Sequence, residues 1–234
     1  MSKLAKHVNY IVIISVALLL LKPAMAQQPA IVQASSANNN ADAELDKKAN
    51  DWTGSLQLID TAKAQKVRNA ILTHLTAVRD WHNSHRFTLT PAGINPATGN
   101  KLSDMDRQII VCSAKPSSIH TNLMTVLKAQ LDSAQTETIL DKYTIGKVAF
   151  TLKGYQAIIP DLTATEETAI LANLKQAREQ AIDYKGIKEV SAIFEIYKTK
   201  CEQYLNSNGR NWHQLFKAYV DKVKAQKEAD RNKQ

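Results

Sequence analysis

The stretch Thr61–His85, TAKAQKVRNAILTHLTAVRDWHNSH, decides the fold class. Val67, Ile71, Leu75 and Val78 recur at the spacing of one helix face, no Gly or Pro interrupts them, and Asp60 stands in front as an N-cap. On a wheel with Ile71 at zero, Leu75, Val78, His82 and His85 fall within about 40° of it, with His74 at about 60° and Trp81 at about 80°. The three histidines therefore lie on or beside the apolar stripe, not on a solvent face.

The helical period continues on both sides of this stretch. Upstream, Ala41–Trp52 reads as a short helix ended by Gly54, and residues 27–40, rich in Gln, Ala, Ser and Asn, read as a flexible leader. Downstream, Phe87–Lys101 holds Pro91, Gly93, Pro96 and Gly99 with no period, the mark of a functional or mobile connection. Ser103 with Asp106 resembles a capping box for a helix bearing Met105, Ile109 and Cys112. Leu123, Val126, Leu127 and Leu131 mark the next helix, and a shorter one follows around Thr136–Leu140. Val148, Phe150 and Leu152 alternate like a strand, whereas Leu152, Tyr155, Ile158 and Ile159 step like a helix; the reading adopted is a helix from Thr151 after a loop at Gly146. Thr163 and Glu166 cap a helix to about Asp183, Gly186 breaks it, and two more carry Val190–Tyr204 and Trp212–Val223. The expectation is an all-α chain: one helical domain of seven or eight amphipathic helices over residues 41–224, with a charged tail at 225–234.

The first 26 residues read as a signal peptide: Lys3 and Lys6, an apolar run from Ile11 to Leu21 too short to span a bilayer, and Ala24-Met25-Ala26 as cleavage site. Removing them takes away three lysines and no acid, so the net charge of +8 falls to +5 over 208 residues. The segment from Lys222 onward holds +3 of that, which leaves a nearly neutral body. Nucleic acid binding, which wants a basic stripe, is not expected, nor is membrane insertion after cleavage. The expected location is periplasmic or secreted.

Two cysteines are too few for a disulfide scaffold; Cys112 and Cys201 sit on apolar helix faces and read equally as a bridge or as two buried thiols. There is no G-x-S-x-G, H-E-x-x-H, C-x-x-C or Gly-rich phosphate loop, and His82 with His85 lacks the further ligands of a metal site, so neither metal nor cofactor is expected. What stands out is Trp81, His82 and His85 at the end of the long helix, a stacking platform beside imidazoles, and Arg178 in line with Leu171, Leu174 and Ile182. A guanidinium there needs a carboxylate, with Asp80, Asp141, Asp161 and Asp183 as choices, or it sends its head to water.

Arg79-Asp80-Trp81-His82-Asn83, Tyr143-Thr144-Ile145-Gly146-Lys147-Val148, Gly154-Tyr155, Pro160-Asp161-Leu162-Thr163 and Ala177-Arg178-Glu179-Gln180-Ala181, in this order and spacing, resemble the domain-of-unknown-function 3826 family. That family comprises exported proteins typical of Bacteroidetes for which sugar binding is the suggested role. The resemblance implies a helical domain associated with polysaccharide breakdown, and it carries over no catalytic residue. It draws the expected site toward Trp81, His82, Arg178 and the loop from Tyr143 to Lys147, to which the helix wheel adds His85, with Lys147 beside Gly146 as a cation for a uronate. The leading expectation is an exported protein that binds oligosaccharide or polysaccharide in one cleft made by these residues. The rivals are a glycan-active enzyme using His82 or His85 with a carboxylate from another helix, and a periplasmic chaperone-like interaction protein.

Overall fold

Side chains that satisfy the first free N–H groups set where the helices begin. Asp60 accepts from Ala62 and Lys63, Ser103 exchanges bonds with Asp106, Asp132 with Gln135, and Thr163 with Glu166, so four helix starts are pinned by local sequence alone. In the computed structural model, which describes residues 30–96 and 98–232, the helices are α1 (Ala30–Gly54), α2 (Thr61–Ser84), α3 (Asp104–Ser113), α4 (Ser117–Gln130), α5 (Ser133–Tyr143), α6 (Lys147–Ile158), α7 (Ala164–Ala181), α8 (Ile187–Ser207) and α9 (Trp212–Arg231). The fold is all-α: no strand is present among the described residues, whose single β-bridge pairs Ile94 with Lys101. No described helix is long and apolar enough to cross a membrane. The expected signal peptide, residues 1–26, lies outside the described residues.

The chain divides into two units, residues 1–38 and residues 39–234. The described part of the first is the opening of α1, which starts at Ala30 instead of near Ala41; the Ala-rich segment has no Gly or Pro after Pro29 to stop a helix. Within the second unit, α9 runs on to Arg231, so the charged tail expected from residue 225 is helical for most of its length. Helix α6 starts at Lys147, not Thr151, so Val148 and Phe150 belong to a helix and their alternation was no strand signal. Gly146, at φ +70°, turns the chain between α5 and α6, and its N–H closes on the Asp141 carbonyl at 3.0 Å.

Phe87–Lys101 is also more ordered than its composition implies. A 3-10 turn covers Phe87–Leu89, the Asn95 N–H donates to the Asn100 carbonyl at 2.8 Å, and the Arg107 guanidinium donates to the Thr90 carbonyl at 2.6 Å.

Among the described residues, the buried apolar side chains other than Val78 fall into two clusters. One gathers Val67 and Ile71 of α2, Leu123 and Leu127 of α4, Ile139 and Leu140 of α5, and Ile182. The other gathers Tyr155, Ile170, Leu174, Ala177, Ile193, Phe194 and Leu205 from α6, α7 and α8, with Cys112 of α3. A fully buried side chain such as Leu174 or Phe194 stabilises the fold by roughly 1.5–3 kcal/mol. Ile182 belongs to the first cluster, while Ala181 and Tyr184 belong to the second. The end of α7 is thus where the two meet, and Asp183 stands between them.

The disulfide option is not taken. Both cysteines are free and buried, each turned to a different partner: the Gln108 amide donates to the Cys112 sulfur at 3.1 Å, and the Cys201 thiol faces the Ile170 carbonyl. Burial pushes the Cys201 thiol up to about 11 and raises Cys112 as well, which keeps both as inert thiols.

A buried carboxylate shared by two histidines and a lysine

Asp183 follows the last turn of α7 and is 9% exposed. Its Oδ1 accepts from His74 Nε2 of α2 at 2.9 Å. Its Oδ2 lies 3.2 Å from His120 Nδ1 of α4 and 3.5 Å from the Lys115 ammonium just before that helix. The His120 contact is an ion pair off the hydrogen-bond direction, since that nitrogen has no aligned partner. Lys115 also stands 4.9 Å above the Tyr184 ring. Two segments distant in sequence, one at His74 and one at Lys115 and His120, are thereby tied to one carboxylate.

Burial pushes the Asp183 carboxyl up, but its contacts with His120 and His74 and the charge of Lys115 outweigh it and hold the group well below the usual carboxylate range. The same contact raises His120 above the ordinary imidazole value, with burial opposing and Glu179 adding to the rise. The Tyr143 hydroxyl is buried without a partner, and burial followed by the charge of Asp183 drives it far up, so it stays protonated.

One face of this cluster is open. His120 Nε2 stands 3.6 Å from Glu179 Oε1, and with Gln176, Gln180, Asp183 and Tyr197 the pair lines a shallow depression of about 410 Å³. Chemically this offers an imidazole whose charged form the carboxylate behind it favours, a carboxylate acceptor, two amides that donate and accept, and the Tyr197 phenol.

A second acid–imidazole pair lies farther along α2. His82 Nε2 meets Glu189 Oε1 at 3.0 Å, and the Lys185 ammonium donates to Asn83 at 2.7 Å. Gly186 makes room for Glu189, because a Cβ there would sit 2.3 Å from Glu189 Oε2. The two pairs fasten the second half of α2 to the α7–α8 junction.

Among the described residues, the six residues singled out from the sequence do not meet in one cleft; only Trp81 and His85 are brought together, and the others go to separate places. Trp81 and His85 stack face to face, 3.7 Å between centroids and 8° between planes, and the indole N–H donates to the Val111 carbonyl at 3.3 Å. His82 goes to Glu189. Tyr143 packs edge-on against Trp52 and His74 at 4.7 and 5.2 Å. The Lys147 ammonium lies 5.9 Å from the Phe194 ring. Arg178, buried, reaches Glu137 at 2.7 Å and Asp141 at 2.6 Å, both on α5, so its carboxylate partners are one of the four considered and one not considered. Helical spacing places a residue on a face; it does not say which faces converge, and the expectation of a single cleft rested on the second kind of information.

Residues missed were Lys115, His120 and Glu189, with Asp183 noted only as a partner for Arg178. His120 had a legible signal, since it shares the apolar face of Leu123 and Leu127 on α4.

The family described as "Protein of unknown function (DUF3826)" matches residues 42–225. The chain belongs to this family. A comparison with curated proteins finds no match. The DUF3826 match spans Lys115, His120, Asp183 and Glu189 together with the six residues above, so both the expected and the observed clusters lie inside the family region.

Proposed function

We propose that this DUF3826 protein is an exported carbohydrate-binding protein that serves polysaccharide use, and that its ligand site is the depression over His120 in place of a cleft at Trp81. The observation that supports this reading is the His120–Glu179 pair, backed by Asp183 and flanked by Gln176, Gln180 and Tyr197. Neutral sugars present vicinal hydroxyls that both donate and accept, which suits a set of imidazole, carboxylate and amides on an open surface. Calorimetric titration with neutral and pectic oligosaccharides tests it. Binding that is lost in His120→Ala and weakened in Gln176→Ala supports the reading, and an absence of heat with every saccharide sinks it. Export is tested by the mature N-terminus, expected at Gln27.

A second reading, a glycan-active enzyme, is favoured by one observation: the His120 imidazole 3.6 Å from the Glu179 carboxylate has the pairing that general acid–base chemistry uses. Release of saccharide products, abolished in a folded His120→Ala variant, separates it from binding alone. From the sequence this reading expects His82 or His85 with a carboxylate from another helix; His82 meets Glu189, and His82→Ala is the matching control.

A further inference from the structure

We propose that the groove between α2 and α4 is a separate binding site for a small molecule with an apolar body and one hydroxyl group. The two helices pack along each other through Val67, Ile71, Leu123 and Leu127. Toward the surface, α2 presents the short side chains Ala70, Thr73 and Ala77, and they leave a depression of about 530 Å³ whose far wall includes Leu123 and Val126 of α4. Small-molecule sites fall at roughly 300–1,000 Å³ and are lined mainly by apolar groups with a few placed polar ones.

Of the polar residues that line it, among them Asn69, Ser118, Asn122 and Thr125, the buried one is His74. Its side chain is 1% exposed and contributes to the lining of this groove. Its Nε2 is committed to Asp183, and because a carboxylate only accepts, Nε2 carries the hydrogen. That leaves Nδ1, which is buried and has no hydrogen-bond partner. Buried ring nitrogens are normally paired, so an orphan beside an apolar groove marks where a ligand atom belongs. A hydroxyl meets that nitrogen, and the alkyl or aryl remainder fills the space left by the two alanines. The site is independent of the saccharide reading, since the two depressions share no lining residue.

The test uses p-cresol, 4-methylanisole and toluene as probes, titrated into the isotopically labelled chain and followed by the amide signals of Ala70, Ala77 and Val126 and by the His74 Nδ1 resonance. The expected result is that p-cresol shifts all of them and binds about tenfold more tightly than 4-methylanisole or toluene, the difference one hydrogen bond makes. Ala77→Leu, which fills the groove and leaves His74 and Asp183 in place, is expected to abolish binding with the amide spectrum of the fold retained. Equal affinity for the three probes, a His74 Nδ1 resonance that p-cresol does not move, unchanged binding in Ala77→Leu, or no shift at millimolar p-cresol each overturns the proposal.

Discussion

Replacing Asp183 by Asn removes one charge and almost no volume, so its effect can be worked from the contacts. The amide oxygen of the Asp183→Asn variant still accepts from His74 Nε2, and that link survives. What disappears is the countercharge to Lys115, whose side chain is 10% exposed, and to His120, at 24%. Breaking a buried pair on one side costs about 3–5 kcal/mol; because both cations touch solvent, the low end applies, about 3 kcal/mol. That is less than a typical total stability of about 5–15 kcal/mol, so the variant folds. Its Tm is expected to fall by about 6–12 °C for a domain of this size. The pH dependence has a definite sign. His120 is raised in the folded state, so its contribution is complete below the ordinary imidazole value and is lost as pH rises through the raised one. Asp183 is lowered, so its contribution holds above the ordinary carboxylate value and is lost only in strong acid. The stability gap between wild type and Asp183→Asn is therefore widest near pH 5–6 and narrows toward pH 9. Urea unfolding of both chains at pH 5.5, 7.5 and 9 measures it. A gap below about 1 kcal/mol at pH 5.5, or one that widens with pH, would refute the assignment of Asp183 as the shared counterion.

Three further outcomes are expected. Arg178→Met removes the buried cation and frees Glu137 and Asp141, 38% and 40% exposed, to water, so it costs at most about 1 kcal/mol, whereas Glu137→Gln with Asp141→Asn strands the guanidinium and costs about 3–5 kcal/mol; chemical denaturation of both variants reads the asymmetry. Gly186→Ala puts a methyl 2.3 Å from Glu189 Oε2, and displacement of that carboxylate is expected to shift the His82 ring signals and lower stability by about 1 kcal/mol. Asp183→Leu combined with His74→Phe and Lys115→Met removes the carboxylate with its two most buried partners and leaves His120 to Glu179 and solvent, and thermal unfolding is expected to show stability equal to wild type or higher by about 1–4 kcal/mol.

Much of the fold was legible because helix starts are written locally. Asp60, Ser103 and Thr163 were readable as caps since a cap and the N–H it satisfies lie within three residues of each other. The start of α6 was not legible, because Val148, Phe150 and Leu152 satisfy an alternating pattern and a helical one about equally, and only packing of Val148 and Tyr155 into the second cluster decides between them. The site was less legible for a related reason. Position on a helix face is periodic and therefore in the sequence, but the union of His74, Lys115, His120 and Asp183 depends on how α2 and α4 dock on the end of α7. No local pattern encodes that docking. The need of Arg178 for a carboxylate was readable, since burial of a guanidinium dictates it, while the choice of α5 as the source was not.

The position of Asp183 bears on whether its network exists for stability or for use. Two apolar clusters meet at the end of α7, and an apolar residue between Ile182 and Tyr184 would join them into one core at no electrostatic cost. The chain instead buries a carboxylate there and surrounds it with two imidazoles and an ammonium, leaving the Tyr143 hydroxyl and His74 Nδ1 without partners. Each unpaired buried polar group costs about 1–3 kcal/mol, so this arrangement is poorer for folding than the apolar alternative. A network that lowers stability and yet reaches the surface at His120 on one side, and adjoins a groove at His74 on the other, has the distribution of costs found at functional sites. By the same test the Trp81–His85 stack reads differently, whereas Arg178, paired with Glu137 and Asp141, still leaves its Nε without a partner. The indole N–H of the stack is met by the Val111 carbonyl, and the stack and the Arg178 ion pairs do the mechanical work of holding α2 to α3 and α7 to α5.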